Sequence, residues 1–265
     1  MIQKKEIDSG TGFDWGRASE DYAKYRDIYP GEFYQRLLDR GVGISGQDVL
    51  DIGTGTGVIP RNLYSHGAKF TGIDISWKQI EQAKKLAAAN HMDICFLCTP
   101  AEEVPFLPGS FDAVTACQCF TYFEHEVLAP KISELLRQNG KFAVMYMAWL
   151  PQEDEIAGKS EELVLKYHPL WTGCNETRHK IQVPQTYKEY FDVESEEVFD
   201  LEVPFTRETW NGRMKACRGI GAALPEEEVA AFEKEHMSLL RQTAPQEFHV
   251  LHYAAVTVLR KKTKQ

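Results

Sequence analysis

VLDIGTGTGVIP, residues 49–60, sets an acid and three glycines into a run that otherwise reads as a strand. Val49, Leu50 and Ile52 have buried-strand character, and Gly53, Gly55 and Gly57 let the backbone turn and approach a ligand with no Cβ in the way. A strand end, a tight glycine turn and a helix start bring backbone amides and the positive end of a helix against that ligand. The spacing Asp51-x-Gly53-x-Gly55-x-Gly57 departs from the dinucleotide fingerprint G-x-G-x-x-G/A, which would place a small residue at Val58. No Lys-Ser/Thr pair follows the glycines, so a phosphate-cradling P-loop fails as well.

Asp51 is the informative departure. A carboxylate two residues before the first glycine repels a pyrophosphate and suits an ammonium group, such as that of an amino acid moiety. A second acid, Asp74, ends the next strand about 20 residues after Gly53, the place where a carboxylate meets ribose hydroxyls. An amino acid end joined to a ribose specifies S-adenosylmethionine better than NAD.

Outward from this run, short apolar segments alternate with helical patterns. DVLDI (48–52), AKFTGIDI (68–75), DICFLC (93–98), FDAVTACQCF (111–120) and NGKFAVMYMAW (139–149) read as strands. Helices are expected near 58–66, over SWKQIEQAKKLAAAN (76–90) and over HEVLAPKISELLRQ (125–138). In the second of these, Ser76 and Gln79 form a candidate capping box, and Trp77, Ile80, Ala83 and Ala87 fall on one face. Strands alternating with helices imply parallel pairing through right-handed crossovers: a doubly wound α/β fold with a mostly parallel seven-stranded sheet, helices on both faces and a helical lid. Ligands in such sheets sit beyond the carboxyl ends of the strands where strand order reverses.

Beyond Pro151, helices are expected over 153–171, 206–221 and 224–243, and strands over 193–205 and 248–262, the last two at one sheet edge. Without repeats or a low-complexity linker, the expectation is one domain spanning 1–265. Its core is about 46–150 with the edge strands, and its lid comes from about 1–40, 151–192 and 206–245.

Composition narrows the partners. The chain has 265 residues, 43% of them hydrophobic, enough to build a substantial core. Thirty basic against 39 acidic residues give −9, which disfavours nucleic acid phosphates and anionic membranes and favours a polar small molecule. No stretch approaches the roughly 18 apolar residues of a membrane span, and MIQKKEIDSGTGFDWG lacks the apolar run of a signal peptide, so a soluble cytoplasmic protein is expected. Cys95/Cys98 and Cys117/Cys119 lie in strand-like runs without converging ligands, so no metal is assigned and buried reduced thiols are expected.

The motifs together resemble the class I S-adenosylmethionine-dependent methyltransferases, in particular the small-molecule group called type 11, over about residues 15–149. LDIGTGTG (50–57) is similar to that family's first motif, GIDIS (72–76) to its second, and TPAEEVPFLPGSFDAV (99–114) to its adenine-side loop and fourth strand. The resemblance implies that Asp51 anchors the methionine end, with Gly53, Thr54, Gly55 and Gly57 forming the close turn. It places Asp74 on the ribose hydroxyls, Ile75 on adenine, Ala101 and Glu102 at the adenine edge, and Cys117 and Gln118 facing the methyl group. Pro100 stands where an Asp or Asn often precedes the Ala, a departure that leaves Glu102 as the nearest acid. DWGRASEDYAKYRDIYP (14–30) is similar to a Y-x-x-x-R-x-x-Y-P segment placed over the cofactor, which makes Tyr22, Tyr25 and Arg26 lid candidates; an ordinary amphipathic helix is the competing reading.

S-adenosylmethionine then supplies an electrophilic methyl group, and the protein's task is to align a small-molecule acceptor and exclude water. No catalytic residue is assigned. His125 reads as a helix-start residue before it reads as a base, and His168, Trp171 and His179 line a substrate pocket or fill the lid's own core. No [DNS]-P-P-[YFW] motif follows the fourth strand, where the chain has CQCF (117–120), which disfavours macromolecular acceptors. An NAD-dependent oxidoreductase and a non-catalytic S-adenosylmethionine-binding protein are the alternatives.

Overall fold

The computed structural model describes residues 2–263. In chain order its helices and strands are α1 (Ser19–Tyr25), α2 (Gly31–Leu38), β1 (Asp48–Ile52), α3 (Val58–Leu63), β2 (Lys69–Asp74), α4 (Trp77–Ala89), β3 (Cys95–Cys98), β4 (Phe111–Cys117), α5 (His125–Leu135) and β5 (Leu136–Trp149). There follow α6 (Glu155–Tyr167), α7 (Tyr187–Tyr190), β6 (Phe191–Thr206), α8 (Arg207–Lys215), α9 (Glu226–Thr243) and β7 (Glu247–Lys261).

The seven strands form one sheet in the order β3-β2-β1-β4-β5-β7-β6. The pairs β1–β2, β2–β3, β1–β4 and β4–β5 are parallel. Chain direction sets β7 apart: Lys261 Nζ reaches the Leu136 carbonyl at the start of β5, while the Leu150 amide just past its end donates to Leu251. The Lys262 amide likewise donates to Tyr190 and the Arg207 amide to Gln246. β7 therefore runs antiparallel to both neighbours, and the sheet is mixed, mostly parallel. The chain fills β1, β2, β3 towards one edge and then returns to β4 on the other side of β1, so strand order reverses between β1 and β4.

The chain divides into two compact units, made of residues 1–29, 148–178 and 200–253, and of 30–147, 179–199 and 254–265. The second holds the glycine run. Apart from Asp48, β1 is buried throughout, as a strand covered on both faces must be. In α4, Ile80, Ala83 and Ala87 recur at helical spacing and pack with Phe96 of β3, flanked by Met92 and Ile94. Trp77, expected on that face, is 61% exposed. Ser76 makes no side-chain cap either: its amide is held by the Asp74 carboxylate, and Gln79 is buried. Cys95 and Cys98, expected to be buried, are exposed, because β3 is an edge strand. All six cysteines are free.

The other unit has its own core. Trp210 of α8 is fully buried and donates through Nε1 to Ser160 Oγ at 2.9 Å. That hydroxyl also meets His236 Nε2 at 2.9 Å, and His236 Nδ1 lies 2.8 Å from Asn211 Oδ1, so α6, α8 and α9 share one satisfied polar network. Burial holds His236 down at about 3, and it stays neutral. Asp154 caps α6 by accepting from the Ala157 amide at 2.9 Å, and Thr206 and Thr209 form a capping box at the start of α8. Among the described residues no helix is long and apolar enough to cross a membrane.

Gly57 tests how tightly the turn is packed. Its φ is +75°, and a Cβ there would lie 2.8 Å from the Phe96 ring, whereas Gly109, with φ +67°, has open space around it. Gly57→Ala is expected to lose about 2–4 kcal/mol in urea unfolding, and Gly109→Ala only the backbone share of about 1–2. Equal losses would show that the Phe96 contact contributes nothing.

Candidate functional site

The site grows from the reversal between β1 and β4. Asp51 in β1 and Thr115 in β4 are register partners, and Thr115 Oγ1 donates to Asp51 Oδ1 at 2.6 Å. Asp51 is only 2% exposed. Burial pushes its carboxyl up to about 7, against the Thr115 hydrogen bond that favours the anion, and the neighbouring Asp74 charge adds to the rise. Among the described residues no cation acts on it.

After Ile52 the backbone enters the left-handed region at Gly53, Gly55 and Gly57, with φ of 61°, 56° and 75°. The Thr54 amide donates to the Ile73 carbonyl at 2.8 Å and the Gly57 amide to Thr54 at 2.9 Å, so the turn is tied to β2 and closed on itself. Gly53 allows a close approach: a Cβ there would sit 2.7 Å from both Cβ and Sγ of Cys119. That cysteine is buried, donates to the Ile52 carbonyl at 3.2 Å, and is held well above the usual thiol range by burial and then by the Asp51 charge.

Asp74, at the end of β2, accepts from the Gly55 amide at 3.0 Å through Oδ2 and from the Ser76 amide at 2.8 Å through Oδ1. Each oxygen retains a lone pair, and burial raises this carboxyl too. Ile75 follows it, 54% exposed, and offers an open apolar surface. Ala101 is buried in a single 3-10 turn, Ala101–Glu103, where the Glu102 carboxylate accepts from the Glu124 amide at 3.0 Å. Cys117 closes β4. Gln118 takes a left-handed φ of 64°, its amide donates to Met145 at 3.0 Å, and its side chain to the Met147 carbonyl.

One unit thus brings together Asp51, Gly53, Thr54, Gly55, Gly57, Asp74, Ile75, Ala101, Glu102, Cys117 and Gln118. Tyr22, Tyr25 and Arg26 belong to the other unit, where Arg26 lies 4.7 Å over the Tyr22 ring and the Tyr25 ring fills the space a Gly212 Cβ would need. His125 sits in an aromatic cluster, 4.6 Å from the Phe120 ring, with Nδ1 3.2 Å from Tyr187 Oη. His168 is buried against the Gly219 carbonyl at 3.0 Å, Trp171 is buried, and His179 is exposed. Sequence reasoning missed Thr115 and Cys119 as neighbours of the acid; a lone threonine inside an apolar strand was the available signal for the first.

A buried acid, Asp51, and a half-buried one, Asp74, at a tight glycine turn suit a ligand that carries an ammonium group and a vicinal diol. The comparisons agree with that geometry. Residues 49–140 match a family described as a methyltransferase domain. The ubiquinone biosynthesis O-methyltransferase of Chromobacterium violaceum is 30% identical over 146 residues, covering 52% of this chain and 61% of that one. This chain spans about half to three fifths of the length of the curated relatives it matches. A candidate methyltransferase from Bacillus halodurans superposes with a TM-score of 0.55 at 16% identity, over 88% of this chain and 100% of the other. The YcgJ protein from Bacillus subtilis superposes with a TM-score of 0.52 at 16% identity, over 89% and 100%. Residues 49–140, with the glycine run, thus resemble a methyltransferase domain, and the sheet has the fold of these solved structures.

The state of Asp51 makes stability depend on pH. Its folded-state value of about 7 exceeds the unfolded 3.8, so its contribution is full below about pH 4 and is lost as pH rises through 7. Asp51→Asn keeps the neutral shape, and its stability relative to wild type is expected to rise from near zero at pH 4 to as much as about 4 kcal/mol at pH 8. Parallel stability curves for the two proteins would show that Asp51 ionises freely.

Proposed function

We propose that this protein is an S-adenosylmethionine-dependent methyltransferase acting on a small-molecule acceptor by in-line displacement. The observation that carries the reading is Asp51, a buried carboxylate with no cation acting on it at the reversal of strand order. An α-ammonium group placed there restores the charge that burial suppresses, and Thr115 holds the carboxylate oriented for it. Asp74 takes the ribose hydroxyls on the lone pairs left by Gly55 and Ser76, with Ile75 beneath the adenine and Ala101 and Glu102 at its edge. Gly53, Thr54, Gly55 and Gly57 supply the close backbone turn, and Cys117 and Gln118 stand at the end of β4 next to the methionine end.

The bound cofactor supplies a sulfonium methyl that is already electrophilic. What the chain contributes is alignment, which is worth up to roughly 7–11 kcal/mol in well-oriented cases without a dedicated base. No side chain is assigned as a base. The acceptor is a small molecule and not a nucleic acid, in keeping with a net charge of −9.

Isothermal calorimetry with S-adenosylhomocysteine and with NADH tests this reading. Saturable binding of S-adenosylhomocysteine alone is expected, weakened about tenfold or more by Asp51→Asn although that variant is the more stable protein at pH 8. Binding of NADH alone would sink the proposal in favour of an oxidoreductase. Labelled methyl transfer to a component of a metabolite extract is expected as well; cofactor binding without transfer to any component would identify a non-catalytic binding protein.

A further inference from the structure

The unit made of residues 1–29, 148–178 and 200–253 contains a cation that its own acids leave alone. Arg213 of α8 is 4% exposed, and its Nε and Nη1 meet no hydrogen-bond partner. Its guanidinium lies 4.9 Å over the Trp149 ring. Among the described residues the strongest charge acting on it is another cation, Arg26, followed by Cys217, Tyr29 and Tyr22. Acids in the same unit are committed elsewhere: Asp8 to Arg218, Asp21 to Lys215, and Glu161 to Trp149 Nε1 and the Asn175 amide.

Such an arrangement is costly. A buried guanidinium with orphaned donors loses its hydration without replacement, and a second arginine adds repulsion. Burial and Arg26 together pull Arg213 down to about 9. Another unsatisfied group, on a ring 6.4 Å from the same Trp149, feels the charge of both arginines. His252, fully buried, gives its Nδ1 proton to the Val250 carbonyl at 2.9 Å, which leaves the Nε2 lone pair without a partner. Orphaned donors on a cation and an orphaned acceptor close by are what a site for a hydroxylated oxyanion needs.

We propose that Arg213, with Arg26 beside it, is a binding site for the carboxylate of a small organic acid, and that the His252 Nε2 lone pair receives a hydroxyl of the same molecule. The site lies within this one unit, and the binding stands without the methyltransferase reading. A carboxylate also ends the methionine moiety of the cofactor, so the experiment separates the two sources.

Tryptophan fluorescence reads the site, because the Trp149 ring lies against the Arg213 guanidinium. Acetate and benzoate are titrated against acetamide and benzamide in wild type, Arg213→Met and Arg213→Lys, each with and without saturating S-adenosylhomocysteine. Saturable binding of a carboxylate is expected, about tenfold or more tighter than its amide, with Arg213→Met losing that difference and Arg213→Lys keeping part of it. The thermal midpoint of Arg213→Met is expected to rise, since a buried unpaired charge is removed. If that variant fails to fold, Arg213→Lys and Arg26→Met carry the comparison. Carboxylate affinity unchanged by S-adenosylhomocysteine supports a site for a separate small acid, and competition between them assigns the site to the cofactor's own carboxylate and overturns the proposal. Equal affinity for acid and amide, or a response that Arg213→Met leaves intact, overturns the site itself. Carboxylate binding in a protein that ignores S-adenosylhomocysteine would leave the site standing while the methyltransferase reading fell.

Discussion

A carboxylate taken out of water without a cation beside it is the constraint on which this site turns. Asp51 lies where β1 and β4 part, and its one short hydrogen bond comes from Thr115, its register partner across the strands. A hydroxyl orients the carboxylate without neutralising it, so the charge is retained only at the expense of folded-state stability. The left-handed turn at Gly53, Gly55 and Gly57 then follows from geometry. The chain must leave β1, pass Cys119 with no Cβ to spare, and present an amide to Asp74 before α3 begins.

The part of this that was legible in sequence is the part written in local chemistry. Glycine spacing, an acid before it and another at the end of the next strand are properties of neighbouring residues, and the parallel half of the sheet follows from their alternation with helices. The antiparallel course of β7 was not legible, because an apolar run such as FHVLHYAAVTV has no direction of its own; pairing with β5 and β6 supplies it. Cys95 and Cys98 misled for a related reason. A four-residue apolar strand at the sheet edge leaves both of its end residues in solvent, and edge position is a property of the whole sheet. Ser76 failed as a cap because Asp74 competes for the backbone at the same helix start, a rivalry that a four-residue pattern does not register.

Arg213 was invisible for a different reason. In TRETWNGRMKACRGIG it reads as one of four basic residues, and only folding shows that Arg218 finds Asp8 while Arg213 meets no acid among the described residues. The two units therefore repeat one physical theme with opposite signs, a buried anion in one and a buried cation in the other. In both, the protein holds a charge its own side chains do not answer, and in both the structural deficit identifies the chemistry of the ligand: an ammonium for Asp51, an oxyanion for Arg213.

The account is tested most directly by following the Asp51 carboxyl itself by carbon-13 NMR across a pH titration, with and without S-adenosylhomocysteine. It predicts a midpoint near 7 in the free protein, set by burial, and a fall into the ordinary carboxylate range or below when the ligand's ammonium group is bound. An ordinary midpoint in the free protein, or one near 7 that the ligand leaves in place, would contradict it.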